Sequence, residues 1–298
     1  MKAAVVTKFG PPEGVQIQEI EQPEPKSNEI LIRNHATTVT YGDAALRRMR
    51  FPVRAVFGLF MGGLGKGKVL GHEFAGTIES VGNDVTRFKP GDQVFGSAGM
   101  KGGAHAEYIC LPRDSMVAIK PSTMTFEQAA AVPIGGNTAL HILKSANIQK
   151  YDKVLVYGAS GSVGSYAVQL AKYWGAEVTA VCSSGNFDMV REIGATTLID
   201  YRTTDFTQSE EKYDVIFDAV RKLSSSKCAG SLKEDGQFLS SRSSTEEKVE
   251  NLIFLRELIE AGKMKAVIDR TFTLEEITEA HRLVDSERKK GNVVITIE

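Results

Sequence analysis

The chain has 298 residues, 42% of them hydrophobic and 24% charged, enough to build a substantial buried core in two domains. Its 36 Lys and Arg balance 37 Asp and Glu without long runs of one sign, which excludes a general electrostatic attraction to nucleic acid or to a membrane surface. No stretch approaches the ~20 apolar residues of a membrane span, and MKAAVVTKFGPPEG lacks the apolar core of a secretory leader, so the expectation is a cytoplasmic protein.

Residues 1 to about 120 carry short β-branched or alternating runs punctuated by Gly and Pro: MKAAVV, VQIQEI, EILIRNHATTVT, KVLGHEFAGTIESVG, DQVFGS, AEYICLP and MVAIK. Such spacing predicts an irregular β-rich domain. TFEQAAAVPIGGNTALHILKSA then reads as helix in two parts. After it the pattern alternates: strand KVLVYG, amphipathic helix SVGSYAVQLAKYWG, strand EVTAVC, helix FDMVREIG, and strands TLID, YDVIFDAV and QFLSS. That order predicts a parallel sheet covered on both faces. The tail is β-rich again in MKAVIDRTF and NVVITIE, around the helix EEITEAHRLVDS. The expected class is α/β, with residues 1–122 and 266–298 forming one domain and 123–265 a doubly wound second. Cys110, Cys182 and Cys228 stand singly, which argues against disulfides or a thiolate cluster and for inert buried thiols.

The strand KVLVYG runs through GASGSVG, residues 158–164, directly into a helix. Small residues at Ala159, Gly161 and Gly164 permit a tight turn, close approach of backbone amides to a pyrophosphate, and packing of helix on strand. The strand–turn–helix context makes this a dinucleotide-binding turn. At the end of EVTAVC, where an NAD enzyme places an acid, stand Ser183 and Ser184. With no carboxylate to repel a 2′-phosphate and two hydroxyls to bond it, NADPH is favoured over NADH. Tyr201 lies near the adenosine end, and Arg202 beside it can supply charge.

GHEFAGTIESVG, GDQVFG, GGAHAEYI, AAAVPIGGNTAL, GASGSVG, LIDYR and YDVIFDAV, in this order, resemble the quinone oxidoreductase branch of the medium-chain dehydrogenase/reductases, the ζ-crystallin-like proteins. The match runs through nearly the whole chain. It implies a GroES-like catalytic domain built from both chain ends and a central Rossmann domain. It also implies NADPH-dependent, usually metal-free reduction of quinones or of the activated double bond of enones and enals. Carried over by motif, Gly161, Ser162 and Val163, with Ala159 and Ser160 of the same turn, fall at the pyrophosphate, and Ser183 with Tyr201 at the 2′-phosphate. Thr138, Phe217, Ala219, Val220 and Asn292 fall near the nicotinamide half. Thr40, in VTYGD, stands where relatives often carry Asn near the nicotinamide ribose.

Three departures matter. Gly185 and Asn186 occupy the loop where many relatives have Arg or Lys, which weakens a strict preference for NADPH. From QFLSS only RSSTEEK leads to the helix VENLIFLRELIEAG, where relatives usually have a sixth strand that pairs across a homodimer. Either the sheet is one strand short or a segment is missing, and the dimer is in doubt. The third departure concerns metal. Gly71-His72-Glu73 has the look of a zinc-ligand motif, but catalytic zinc takes about three protein ligands. In zinc-dependent relatives one is a cysteine where Thr40 stands, and another falls near Ile134. GSAGMKGGAHAEYIC is also too short for the lobe that holds a structural zinc. The reading is no zinc, with His72 a hydrogen-bonded scaffold residue. His35, His105, His141 and His281 show no ligand spacing and read as surface or packing residues.

The substrate, a quinone, enone or enal, is expected to stack beside Tyr41, the candidate donor to the developing enolate oxygen. A wall of the pocket is an equally good reading of Tyr41. Phe57 and Phe60, in the apolar Gly-rich segment 47–68, are candidate substrate contacts. Two alternatives stand beside this reading, a zinc-type alcohol dehydrogenase and a non-catalytic NADPH-binding protein.

Overall fold

β-Branched and aromatic residues at close intervals hold the N-terminal region in strands. In the computed structural model, which describes residues 1–49 and 67–297, β1 (Lys2–Val6), β2 (Val15–Glu19) and β4 (Lys68–Val69) form a three-stranded sheet ordered β2-β1-β4. β3 (Glu29–Thr38), β5 (Glu73–Val81), β6 (Gln93–Ser97), β7 (Tyr108–Pro112) and β8 (Val117–Ile119) join β14 (Ile268–Thr273) and β15 (Asn292–Thr296) in a seven-stranded sheet. There β15 runs antiparallel to β3, Val294 facing Thr38. The chain divides into two compact units, Met1–Ile134 with Ile268–Glu298, and Gly135–Val267.

The tail returns to the first unit because its apolar residues complete that unit's core. Val6, Val39, Leu46 and Leu70 pack with Ile277, Val284, Val293 and Ile295. Burying one side chain of this kind contributes about 1.5–3 kcal/mol. Two helices, α1 (Tyr41–Arg48) and α8 (Ile277–Asp285), frame a buried polar cluster beside it. The Arg47 side chain is wholly buried, pairs through Nη2 with Asp285 Oδ2 at 2.5 Å, and donates to the Gly10 carbonyl. Its Nε points at His281 Nδ1, 3.4 Å away. His105 and His281 are both fully buried, with ring centroids 6.0 Å apart, so neither is a surface residue.

Burial pushes the His281 imidazole down to about 3. The unfolded chain therefore takes up this proton near pH 6.5 while the native state refuses it, and the stability this group contributes is lost as pH falls toward 3. Between pH 7 and 5 the loss amounts to about 2 kcal/mol. We expect His281→Gln to be less stable than the parent at pH 7, with the gap in unfolding free energy, read from urea titrations, narrowing by that amount at pH 5. A gap that stays constant with pH would assign the acid sensitivity to other groups.

In the second unit β9 (Lys153–Tyr157), β10 (Glu177–Cys182), β11 (Thr197–Asp200), β12 (Tyr213–Asp218) and β13 (Leu232–Ser240) form one parallel sheet in the order β11-β10-β9-β12-β13. Val154, Leu155 and Val156 of β9 are fully buried, as a strand covered on both faces requires. The sheet has five strands, because the chain leaves β13 directly for the helix Val249–Glu260. The register with β12 jumps from Leu232 to Gln237, so residues 233–236 bulge out of the edge strand, an irregularity that opposes addition of a further strand.

Candidate active site

The predicted cofactor residues of the second unit gather at the C-terminal edge of its sheet. β9 ends at Tyr157, and Gly158 turns the chain at φ +79° into Ala159, whose amide donates to the Val181 carbonyl of β10. The helix α4 (Ser162–Tyr173) starts at Gly161, and no side chain caps it. Its first-turn amides and positive end therefore face the turn, the arrangement that binds a phosphate group. Gly164 seats this helix on the strand: a Cβ there would lie 2.1 Å from the Gly158 carbonyl oxygen. The helix α3 (Pro133–Lys144) also packs close, since a Cβ on Gly135 would meet Ser162 Oγ at 2.7 Å and the Tyr166 ring at 3.1 Å. This contact brings half-buried Thr138, one turn along α3, toward the same turn.

After β12, Asp218 shapes the next loop by accepting from the amides of Val220 at 3.1 Å and Leu223 at 2.8 Å. Val220 is thereby folded over Gly158, where a Cβ would touch its Cγ1 at 2.4 Å. Ala219 and Val220 are within reach of a ligand on the turn. Phe217 is completely buried and offers such a ligand no side-chain surface. At the far side, Asn186 Nδ2 donates to both Ser160 Oγ and Ser183 Oγ, each 3.1 Å away. The residue that stands where relatives carry a cation thus ties the turn to the end of β10. Tyr201 is half exposed, 6.5 Å from Tyr157 between ring centroids.

One expectation at this edge is corrected. No acid ends β10, but β11 pairs beside it with Cys182 facing Asp200, and the Asp200 carboxylate accepts the Ser184 amide at 3.0 Å. Hydrogen bonds from Arg202, then from Ser184, hold that carboxyl well below the usual range. The missing acid is supplied by the neighbouring strand, which spacing along the chain does not reveal.

In the first unit Thr40 and Asn292 lie side by side, because the Val39 amide donates to the Val293 carbonyl at 3.0 Å. Thr40 caps α1 in a reciprocal box with Asp43. Buried Asp43 accepts from the Thr40 amide at 2.8 Å, Thr40 Oγ1 at 2.6 Å, the Gly71 amide at 2.9 Å and His72 Nδ1 at 2.7 Å. Burial opposes its charge, but the His72 charge and the hydrogen bonds from His72 and Thr40 outweigh this and keep the carboxylate ionised. Gly71 adopts φ +96°, and a Cβ there would strike His105 at 2.5 Å, which explains the glycine of the GHE motif. Asp43 was missed as a centre of this site, although T-x-x-D before an apolar run is a legible capping signal. Tyr41, at the first position of α1, is 54% exposed with the Arg48 guanidinium 5.6 Å over its ring.

Glu73 is buried, accepting from Thr38 Oγ1 at 2.5 Å and the Ile134 amide at 2.6 Å. Burial drives its carboxyl up to about 7, and half-buried Lys289 is pushed down to about 8 by desolvation against the charge of Glu73. Folding favours protonated Glu73, so its contribution is present below the unfolded value near 4.5 and lost as pH rises through 7, opposite in sign to that of His281. These residues do not fit a zinc site. Thr40 caps a helix and Ile134 presents an amide already given to Glu73, so neither offers a thiolate, and His72, oriented by its Nδ1 bond to Asp43, would be a lone imidazole ligand. No group of three candidate donors converges among the described residues. Phe57 and Phe60 lie outside the described residues.

Comparison with known proteins agrees with this architecture. Residues 26–121 match the family described as alcohol dehydrogenase GroES-like domain, and residues 162–286 the family described as zinc-binding dehydrogenase. A 2-methylene-furan-3-one reductase of Solanum lycopersicum is 31% identical, over 99% of this chain and 79% of its own length. The chloroplastic NADPH-dependent alkenal/one oxidoreductase of Arabidopsis thaliana is 29% identical over the same shares. The solved structure of the quinone oxidoreductase from Coxiella burnetii superposes with a TM-score of 0.87 at 27% identity, covering 100% of this chain and 99% of that one. With its GroES-like unit, its parallel Rossmann sheet and these relatives, the chain belongs to the quinone oxidoreductase branch of the medium-chain dehydrogenase/reductase superfamily.

Proposed function

We propose that the protein is an NADPH-dependent reductase that delivers hydride to a quinone or to the activated double bond of an enone or enal, without a metal. The observation that carries this reading is the helix start behind GASGSVG, whose N-cap Gly161 has no side chain to cap it, in a chain that has Thr40 and Ile134 where alcohol dehydrogenases place thiolate ligands. The names of the tomato and Arabidopsis relatives support the substrate class. NADPH supplies the hydride when bound. Gly161, Ser162 and Val163 hold the pyrophosphate, with Ala159 and Ser160 shaping the turn. Ser183 and Tyr201 face the 2′-phosphate. Thr138, Ala219 and Val220 would take the nicotinamide half, Phe217 acting only through its backbone. Tyr41 donates its phenolic proton toward the substrate oxygen on which charge develops, the exposure of its ring leaving it accessible to substrate.

The test follows NADPH absorbance against quinones, enals, enones and simple alcohols, with NADH in parallel and metal analysis of the purified protein. Turnover of at least one quinone, enone or enal without bound metal is the expected result. Inactivity across the panel, or alcohol turnover with stoichiometric zinc, would overturn the reading. Tyr41→Phe should lower turnover about 100-fold with little change in cofactor affinity. Full turnover in that variant leaves Tyr41 as a wall of the pocket.

A further inference from the structure

The end of β10 and the end of β11 stand side by side, and an ion pair closes the corner between them. Asp200 Oδ2 accepts the Ser184 amide at 3.0 Å and Arg202 Nη2 at 2.6 Å, while Asp200 Oδ1 accepts the Arg202 amide and Nε, each at 3.0 Å. Arg202 Nη2 also donates to Ser184 Oγ at 2.8 Å. The guanidinium thus bridges a carboxylate and a hydroxyl at the point where the adenosine ribose of a dinucleotide on this sheet edge would lie. About half of the Arg202 side chain is exposed, and that of Asp200 is 11% exposed, so the cation is free to turn while the anion is not.

We propose that Asp200 and Arg202 form a clasp that decides between the two nicotinamide dinucleotides, Arg202 leaving Asp200 for the 2′-phosphate of NADPH and staying closed on it with NADH. This rests on the reading that a nicotinamide dinucleotide occupies this edge. The pair is bidentate but half open to solvent on the arginine side, and a phosphate offers the planar fork of arginine the same two oxygens with more charge than one carboxylate. The freed Asp200 remains beside the phosphate and keeps the Ser184 amide, which tempers the preference. With NADH the closed pair presents no net charge, so the corner tolerates a bare ribose. Arg202 is accordingly the specificity-determining residue and Asp200 its brake, in place of the fixed cation that Gly185 and Asn186 do not provide.

Calorimetric titration of the full chain with NADP⁺ and NAD⁺ tests this without relying on turnover. Arg202→Ala should weaken NADP⁺ binding by about tenfold or more and leave NAD⁺ within about twofold, since a hydrogen bond to a charged group is worth roughly that factor. Arg202→Lys should restore part of the loss, and Asp200→Asn should tighten NADP⁺ relative to NAD⁺. Unchanged NADP⁺ to NAD⁺ ratios in Arg202→Ala, or an equal loss for both, overturn the clasp. A parent protein that favours NAD⁺, but whose ratio still moves with Arg202, overturns the NADPH preference and upholds the clasp.

Discussion

Asp43→Asn should lower stability by about 3–5 kcal/mol, the range for removing one partner of a buried charged network. The carboxylate serves four donors, and an amide has one oxygen for them. Whichever way it points, its NH₂ faces either Thr40 or the Gly71–His72 pair, leaving buried donors without an acceptor. The loss reaches both the start of α1, which presents Tyr41, and the φ +96° turn at Gly71. Urea denaturation at pH 7 measures it as a lower midpoint at unchanged slope. A drop of less than about 1 kcal/mol would mean that this network is not the anchor of the first unit. The native carboxyl is held below its unfolded value, so its contribution is complete above about pH 4 and lost only as pH falls further. Below pH 4 the gap between the parent and Asp43→Asn should therefore begin to narrow, by about 1 kcal/mol at pH 3.

Gly164→Ala should weaken NADPH binding at least tenfold and cost about 2 kcal/mol of stability, from a single methyl group. The added carbon would sit 2.1 Å from the Gly158 oxygen and 2.9 Å from Ala159 Cα, both backbone atoms that cannot swing away. α4 must then move off β9, and the amides at its start move with it. Gly185→Ala is the control, because a Cβ there meets nothing within 4 Å. Titration with NADPH and thermal melts of the two variants compare them directly. If Gly164→Ala binds as tightly as Gly185→Ala, the close seating of α4 is not what positions the phosphate turn.

Much of the architecture was legible in the residues. The alternation of KVLVYG, EVTAVC, TLID and YDVIFDAV with helices required a parallel sheet, and the short run RSSTEEK left that sheet at five strands. GASGSVG could be placed as a tight strand-to-helix turn because it is built from consecutive residues, and local sterics demand glycine there. Thr40 and Ile134 were likewise readable as positions without thiolates.

Other features depend on pairs far apart in the chain, and no local pattern carries them. His105 and His281 looked like isolated residues, yet the return of the tail packs them into one buried cluster with Arg47. Asp200 and Ser184 are neighbours because β10 and β11 pair in register, and that neighbour supplies the acid which the end of β10 lacks. By itself the sequence determined the backbone: which segments are strands, where the glycine-rich strand-to-helix turn lies, and that Thr40 and Ile134 offer no thiolates. Only the tertiary structure decided the charge state and partners of each polar residue, because burial and through-space distance set those, and both arise only once remote segments pack.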